Sequence, residues 1–405
     1  MSFNVLKVNE TVFVDNSIVN NAIHTHLPYS NTSFNKSDEI RIPIQTQDIY
    51  TLPSQSSINI VGRVLDQQDK ASGTIKFINN GLVHLFDEIR YEIGGIIVDR
   101  VKNPGITSTM KAYVSFTDRE AVCFENAGWN EKNAPEIIDK EGYFNVCIPL
   151  SMLLGFCEDF KKIIINIRQE LILLRSSTDS NCVISSKAGE QPKIEIQKIH
   201  WRMPHIQVSD TEKLGLLDHI ERGVNLPVAF RCWELHEYPV LQQTTLHTWT
   251  IKAASQMEKP RYVIIGFQTN RRNKNDVDNS KFDHCNLTNL KLYLNSNIYP
   301  YDNLNLNFDR KQFAILYEMY IKFQQSYYDK QVSDPCLSLS KFLEVAPLIV
   351  IDANQQNDSL KSGSVDVRLE FETNKNIPAQ TEAFCLILHD KMITYNPLNN
   401  IVNVL

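Results

Sequence analysis

Hydrophobic positions in this chain come mostly in short alternating runs. Ile40-Arg41-Ile42-Pro43-Ile44 puts every second side chain on one face, the period of a half-buried strand, and Pro43 demotes the run to an edge or a strand end. The same period predicts strands over 57–64 and 74–78. A hairpin is expected over 89–101, where Gly94-Gly95 supplies the positive-φ residues of a tight turn. Later strands are expected over 228–235, 248–251, 261–267, 291–299, 365–372 and 383–389, the fourth turning at Asn295-Ser296-Asn297. Helical spacing is confined to short pieces. One covers 107–116, capped by Thr107 or Ser108, and another starts at Ser209-Asp210-Thr211-Glu212. A third covers 311–323, where Phe313, Leu316, Tyr317, Tyr320 and Phe323 make an aromatic stripe. Such a stripe is more often core or subunit contact than a cofactor box.

The pattern then repeats at half the chain length. Ile165-Asn166-Ile167-Arg168-Gln169-Glu170-Leu171 is echoed by Val365-Asp366-Val367-Arg368-Leu369-Glu370-Phe371, an offset of 368 − 168 = 200. Ile89 to Ile93 recurs as Leu290 to Leu294, Phe144 with Pro149-Leu150 as Phe342 with Pro347-Leu348, and Tyr113 with Phe116 as Tyr320 with Phe323. The period is far too long for a solenoid and points to two copies of one domain. About eight short strands with a helix in the middle of each copy is the pattern of a jelly roll. The expected fold is all-β: two tandem eight-stranded jelly-roll sandwiches (a double jelly roll) with short helices in the connecting loops. The expected divisions are a polar arm at 1–36, a first jelly roll at 37–206, a linker at 207–226 and a second jelly roll at 227–405. The Asn- and Asp-rich stretch 270–283 is the longest polar insertion and is expected to project.

Composition narrows the function classes. The chain has 405 residues, 42% apolar and 22% charged, ample for two cores. Its formal net charge is −6, whereas a protein gripping nucleic acid through phosphates carries a basic stripe. The short run Arg271-Arg272-Asn273-Lys274 is diluted by Asp276 and Asp278 and reads as a solvated loop tip. Direct nucleic-acid binding is therefore not expected. The eight cysteines are scattered singly, which suits small buried hydrophobes and a reducing compartment. Neither a secretory signal nor an apolar run long enough for a transmembrane segment is visible, so a protein soluble when made is expected.

Candidate chemistry is sparse. His24-x-His26 lacks further ligands at metal spacing. Asp276-x-Asp278-x-Ser280 begins like a calcium loop, but Lys281 and Leu287 stand where a Gly and a Glu are needed. His200, His205, His236 and His247 lie near Trp201, Trp233 and Trp249 in sequence. They could line a sugar groove, and a packed sheet face is the simpler reading. Glu170 and Glu370, each two residues from Arg168 and Arg368, read as an ion pair repeated in both copies. Catalytic, cofactor-binding and metal residues are each expected to be absent, and the protein is not expected to be an enzyme.

Three runs carry a family resemblance: Pro149-Leu150-Ser151-Met152-Leu153-Leu154-Gly155-Phe156, Pro260 to Thr269, and Leu294-Asn295-Ser296-Asn297-Ile298-Tyr299-Pro300-Tyr301. The chain, from about residue 37 on, resembles double-jelly-roll major capsid proteins, in particular the Polinton/Maverick and adintovirus-like group found as virus-derived genes in invertebrate genomes. The resemblance implies a homotrimer whose six sandwiches form a pseudo-hexagonal tile of an icosahedral shell. It also implies a place in the virion capsid after synthesis in the host cytoplasm or nucleus, and penton or minor capsid proteins as further partners. The insertions 119–142 and 270–283 would form an outward tower, and the arm would tie neighbours or lie under the shell. The alternative is a carbohydrate-active or glycan-binding double jelly roll with an acidic cleft walled by Trp233 and Trp249.

Overall fold

The computed structural model describes residues 16–29, 34–45, 50–132, 135–187, 189–251, 260–355 and 365–404. Among the described residues, sixteen principal strands build two sandwiches; short strands at Tyr50–Thr51, Ile164–Ile165 and Ile401–Val404 add to their sheets, and Ile75–Phe77 pairs with Val183–Ser185. The first uses β1 (Ile18–His26), β2 (Glu39–Ile44), β3 (Ser57–Leu65), β4 (Phe86–Ile93), β5 (Ile96–Lys102), β6 (Tyr143–Pro149), β7 (Gln169–Arg175) and β8 (Lys193–Val208). The second uses β9 (Leu226–Tyr238), β10 (Leu246–Ile251), β11 (Pro260–Thr269), β12 (Leu287–Leu294), β13 (Asn297–Tyr299), β14 (Ile349–Asp352), β15 (Val367–Thr373) and β16 (Thr381–Asn396).

Strand order is the same in both. The first sandwich has sheets β1-β8-β3-β6 and β2-β7-β4-β5, and the second has β9-β16-β11-β14 and β10-β15-β12-β13. All these pairs are antiparallel. Alternation makes the layers: in β3 Ile58, Ile60, Gly62 and Val64 are buried between half-exposed neighbours, so one face meets the opposite sheet. The hairpin turns are as the sequence predicts, with Gly94 at φ 59°, Gly95 at φ 81° and Asn295 at φ 53°.

The connection after the fifth strand carries the same insertion in both copies, α1 (Pro104–Ser115) in the first and α5 (Ala314–Tyr328) in the second. Shorter helices are α2 (Asp118–Cys123), α3 (Gly155–Asp159), α4 (Asp210–Glu221) and α6 (Leu339–Val345). Helix α4 joins the sandwiches, and the Ser209 hydroxyl accepts the Glu212 N–H as its cap. Buried side chains from Phe34 to Tyr395 form one continuous core cluster, so the apolar interior runs through the junction.

Four expectations need correction. Residues 18–26, expected in a polar arm, form β1, paired to β8 from Ile18↔Val208 to His26↔Trp201. Their polar side chains hid a strand that is largely exposed. Residues 1–15 and 30–33 lie outside the described residues. Helix α1 starts three residues early, at Pro104, with Asn103 in the left-handed region as its N-cap. Phe144 and Phe342 are not equivalent, because one is in β6 and the other in α6. Finally, Gln169 pairs with Ile93 and Val367 with Leu294, so the two seventh strands align at 367 − 169 = 198 rather than 200. A shift of two leaves the same face buried, so the residue pattern alone could not detect it.

Candidate functional site: the junction between the sandwiches

Chemistry-bearing side chains converge where the two sandwiches meet. Lys111 is the one charged residue of α1, and it is only 3% exposed. Its Nζ donates to Glu158 Oε1 at 2.9 Å, Ser115 Oγ at 2.9 Å and Tyr328 OH at 2.8 Å. The rings of Tyr327, Trp233 and Tyr328 surround it at 4.4, 4.9 and 5.1 Å, a cation–π environment. Burial pulls the Lys111 pKa below its ordinary value, against the opposing pull of Glu158. Glu158 in turn accepts from Tyr327 OH at 3.0 Å and Tyr328 OH at 2.5 Å. Lys111 and Glu158 belong to the first sandwich, and Trp233, Tyr327 and Tyr328 to the second.

Next to this cage Arg231 of β9 forks onto Asp159, with Nε to Oδ2 at 2.8 Å and Nη2 to Oδ1 at 2.7 Å. Its guanidinium lies 3.6 Å from the Tyr327 ring centroid. Gly155 lets α3 approach this closely: a Cβ there would stand 1.9 Å from the Arg231 carbonyl oxygen. Helices α1 and α5 are tied by Tyr320 OH donating to the Tyr113 carbonyl at 3.0 Å and Gln324 Nε2 to the Phe116 carbonyl at 3.0 Å. Every buried charge here has a partner across the junction, an arrangement that fixes the relative pose of two bodies. The Lys111 amine and the Glu158 carboxylate pair with each other and with the tyrosines of the second sandwich.

The 270–283 insertion is drawn into the same junction rather than projecting. Ser280 and Phe282 are buried, the Ser280 carbonyl accepts from Tyr113 OH at 3.2 Å, and the Asn275 carbonyl accepts from Ser185 N at 2.7 Å. The basic run is likewise engaged: Arg271 binds Asp283 at 2.6 Å and Arg272 faces Glu382 at 3.4 Å. Asp278 Oδ1 accepts from Ser280 N and Oγ at 2.9 and 2.6 Å, a local turn. In the 119–142 insertion Trp129 is fully buried against Tyr113 and Phe116, so part of it is core; residues 133 and 134 lie outside the described residues.

A polar cleft of about 400 Å³ opens between the sandwiches, lined by Phe86, Lys102 and Ile106 on one side and Glu237, Arg272 and Glu382 on the other. Glu382 is pushed up by burial, with Arg272 opposing. Trp233 and Trp249 are not in it: they are 2% and 8% exposed, under Lys111 and against Tyr238. The cleft thus has carboxylates but not the aromatic walls that a glycan site would take from those residues.

The histidines grouped in sequence separate in space. His205 meets His24 and His26 on the β1–β8 pair. His236 lies 3.5 Å from Glu234, with Glu234 also 3.7 Å from His389. His247 stacks on Phe371. Among the described residues no group of three or more His, Cys, Asp or Glu is arranged to hold a metal ion. Both ion pairs form, Arg168–Glu170 at 2.7 Å and Arg368–Glu370 at 3.4 Å, but at the observed offset of 198 they do not occupy equivalent positions in the two copies. The aromatic stripe of α5 is core, with Leu316, Tyr320 and Phe323 buried. All eight cysteines are free thiols, and no helix among the described residues is long and apolar enough to cross a membrane.

Two sandwiches of identical strand order, locked side by side, define a double-jelly-roll protein. Residues 75–393 match the double jelly roll-like domain family, and the chain belongs to that family. Several solved structures share the fold across nearly the whole chain. VP54 of PBCV-1, fitted into a reconstruction of the virophage Sputnik, is 12% identical with a TM-score of 0.61, covering 98% of each chain. The Faustovirus major capsid protein is 8% identical with a TM-score of 0.60, covering 96% of this chain and 92% of its own. The mavirus major capsid protein is 11% identical with a TM-score of 0.57, covering 100% and 93%. No curated protein matches this chain.

Proposed function

We propose that this protein is a major capsid protein, a structural subunit that assembles with copies of itself into the shell of a virus or virus-derived element. The observation that carries the reading is the locked pair of sandwiches with the same principal strand order. Within one chain, β9, the first strand of the second sandwich, packs against β5 and α3 of the first. Among the described residues, the corresponding strand of the first sandwich, β1, has no such neighbour and leaves Ile18, Val19 and Ile23 57%, 68% and 58% exposed. The corresponding edge of the second sandwich, β13, leaves Ile298 41% exposed with Tyr301 just beyond it. A ring in which β13 of each subunit meets β1 of the next repeats the internal contact between chains. Three chains then close a six-sandwich, pseudo-hexagonal tile. Residues 18–26 belong with the first jelly roll in this reading, and the segment from 209 to 225 is the linker. Location in the virion capsid, partnership with penton or minor capsid proteins, and membership of the Polinton-like group are part of the same proposal. The role is structural, without a catalytic centre. Negative-stain microscopy of the purified protein tests it: three-lobed or hexagonal tiles, or closed shells, support the reading, and isolated two-lobed particles at every concentration overturn it.

A further inference from the structure

Among the described residues, strand β1 is an edge strand that pairs only with β8, with most of its side chains exposed. Three imidazoles gather on that one attachment. His24 stacks on His205 with ring centroids 4.1 Å apart and an 11° angle between planes. His26 Nε2 lies 3.2 Å from His205 Nε2. A hydrogen bond between two ring nitrogens needs one of them to lack a proton, so this geometry cannot hold two imidazolium ions. The stack likewise favours neutral rings, because two parallel cations at that distance repel.

Among the described residues, no carboxylate is paired with these rings to soften the repulsion. His205 is paired in register with Thr51, whose hydroxyl accepts from Gln169 Nε2. On β8 the neighbours on the same face are Met203 and Gln207, both uncharged. Arg41 of β2 is engaged with Glu39 and Glu170. Arg202, the neighbouring cation of β8, points away toward Cys147. The charges that reach His205 are those of His24 and His26, and the one that reaches His26 is that of His24.

We propose that His24, His26 and His205 form an acid-operated latch that holds β1 on β8 at neutral pH and releases it on acidification. Burial, and then His24 and His26, push the His205 pKa down to about 4, and burial followed by His24 lowers that of His26. Depressed histidine values mean the docked strand binds fewer protons than the released one. The docking is at full strength above the ordinary histidine value and is lost as pH falls toward about 4. Release uncovers the β8 backbone from Trp201 to Val208, an open edge able to accept another strand. The latch depends on the β1–β8 pairing within one chain and stands whether or not the shell reading does.

The test is pulsed hydrogen exchange on the full chain at pH 7.5 and 4.5, corrected for intrinsic rates. Protection of peptides across 18–26 is expected to drop at least about tenfold, with β9 and β16 unchanged. In His205→Gln with His26→Gln the pH dependence of β1 is expected to vanish. Unchanged β1 protection in the native chain, or an equal drop in the double variant, overturns the proposal. Should that variant not fold, ring-carbon NMR of the native histidines decides: His205 titrating at its ordinary value overturns the latch, and titration well below it supports it.

Discussion

Strands β1 and β9 open the two sandwiches at the same topological position, each pairing with the last strand of its sheet, yet their surroundings are opposite. β9 runs for thirteen residues with Val228, Phe230, Cys232, Trp233 and Leu235 buried, and it faces the neighbouring sandwich through Arg231 and Trp233. β1 runs for nine residues, none of them buried. The fold therefore does not determine how firmly a strand is held. What lies beside it does. β9 has a partner supplied by the same chain, and the proposed function is that β1 finds its partner on another copy.

The sharpest way to break this contrast is to attack the β9 side. Gly155→Ala drives a methyl group into the Arg231 carbonyl, and a loss of about 3 kcal/mol or more is expected in denaturant unfolding. Glu158→Ala comes next in security rather than kind: it leaves the buried Lys111 without its carboxylate, a loss of about 3 kcal/mol by the same measurement. A loss under about 1 kcal/mol in both would mean the junction is not closed as described. On the β1 side, Ile23→Asp places a charge on an exposed site. Its effect on folding is expected within about 0.5 kcal/mol, while light scattering is expected to show the assembly dissociating. The smallest effect is expected for Arg368→Ala, whose partner Glu370 is well exposed; thermal unfolding should place it under about 1 kcal/mol.

The sandwiches were legible in the sequence because period-2 alternation and turn residues are local signals. Gly94-Gly95 and Asn295 mark the same turn in both copies. β1 was not legible, since an edge strand with little burial need not alternate, and Asn20, Asn21, His24 and Thr25 read as a polar arm. The α1 cap was misplaced because Asn103 spends its side chain on Glu237 of the other sandwich, at 2.8 Å, rather than on its own helix. The junction cage draws on residues 111, 158, 231, 327 and 328, which no spacing rule connects. Its one sequence signal was Lys111, a lone charge in an otherwise uncharged helix. The 270–283 stretch looked like a projecting loop because its Asn, Asp and Ser residues are polar, and here that polarity is spent on hydrogen bonds to the first sandwich.

The measurement that tests the central claim most directly is light scattering behind size exclusion, run on the native chain and on Ile23→Asp side by side. Self-assembly through β1 predicts a mass of three chains, or of closed particles, for the native protein and a folded single chain for the variant. A native protein that elutes as one 46.6 kDa chain at every concentration would contradict it.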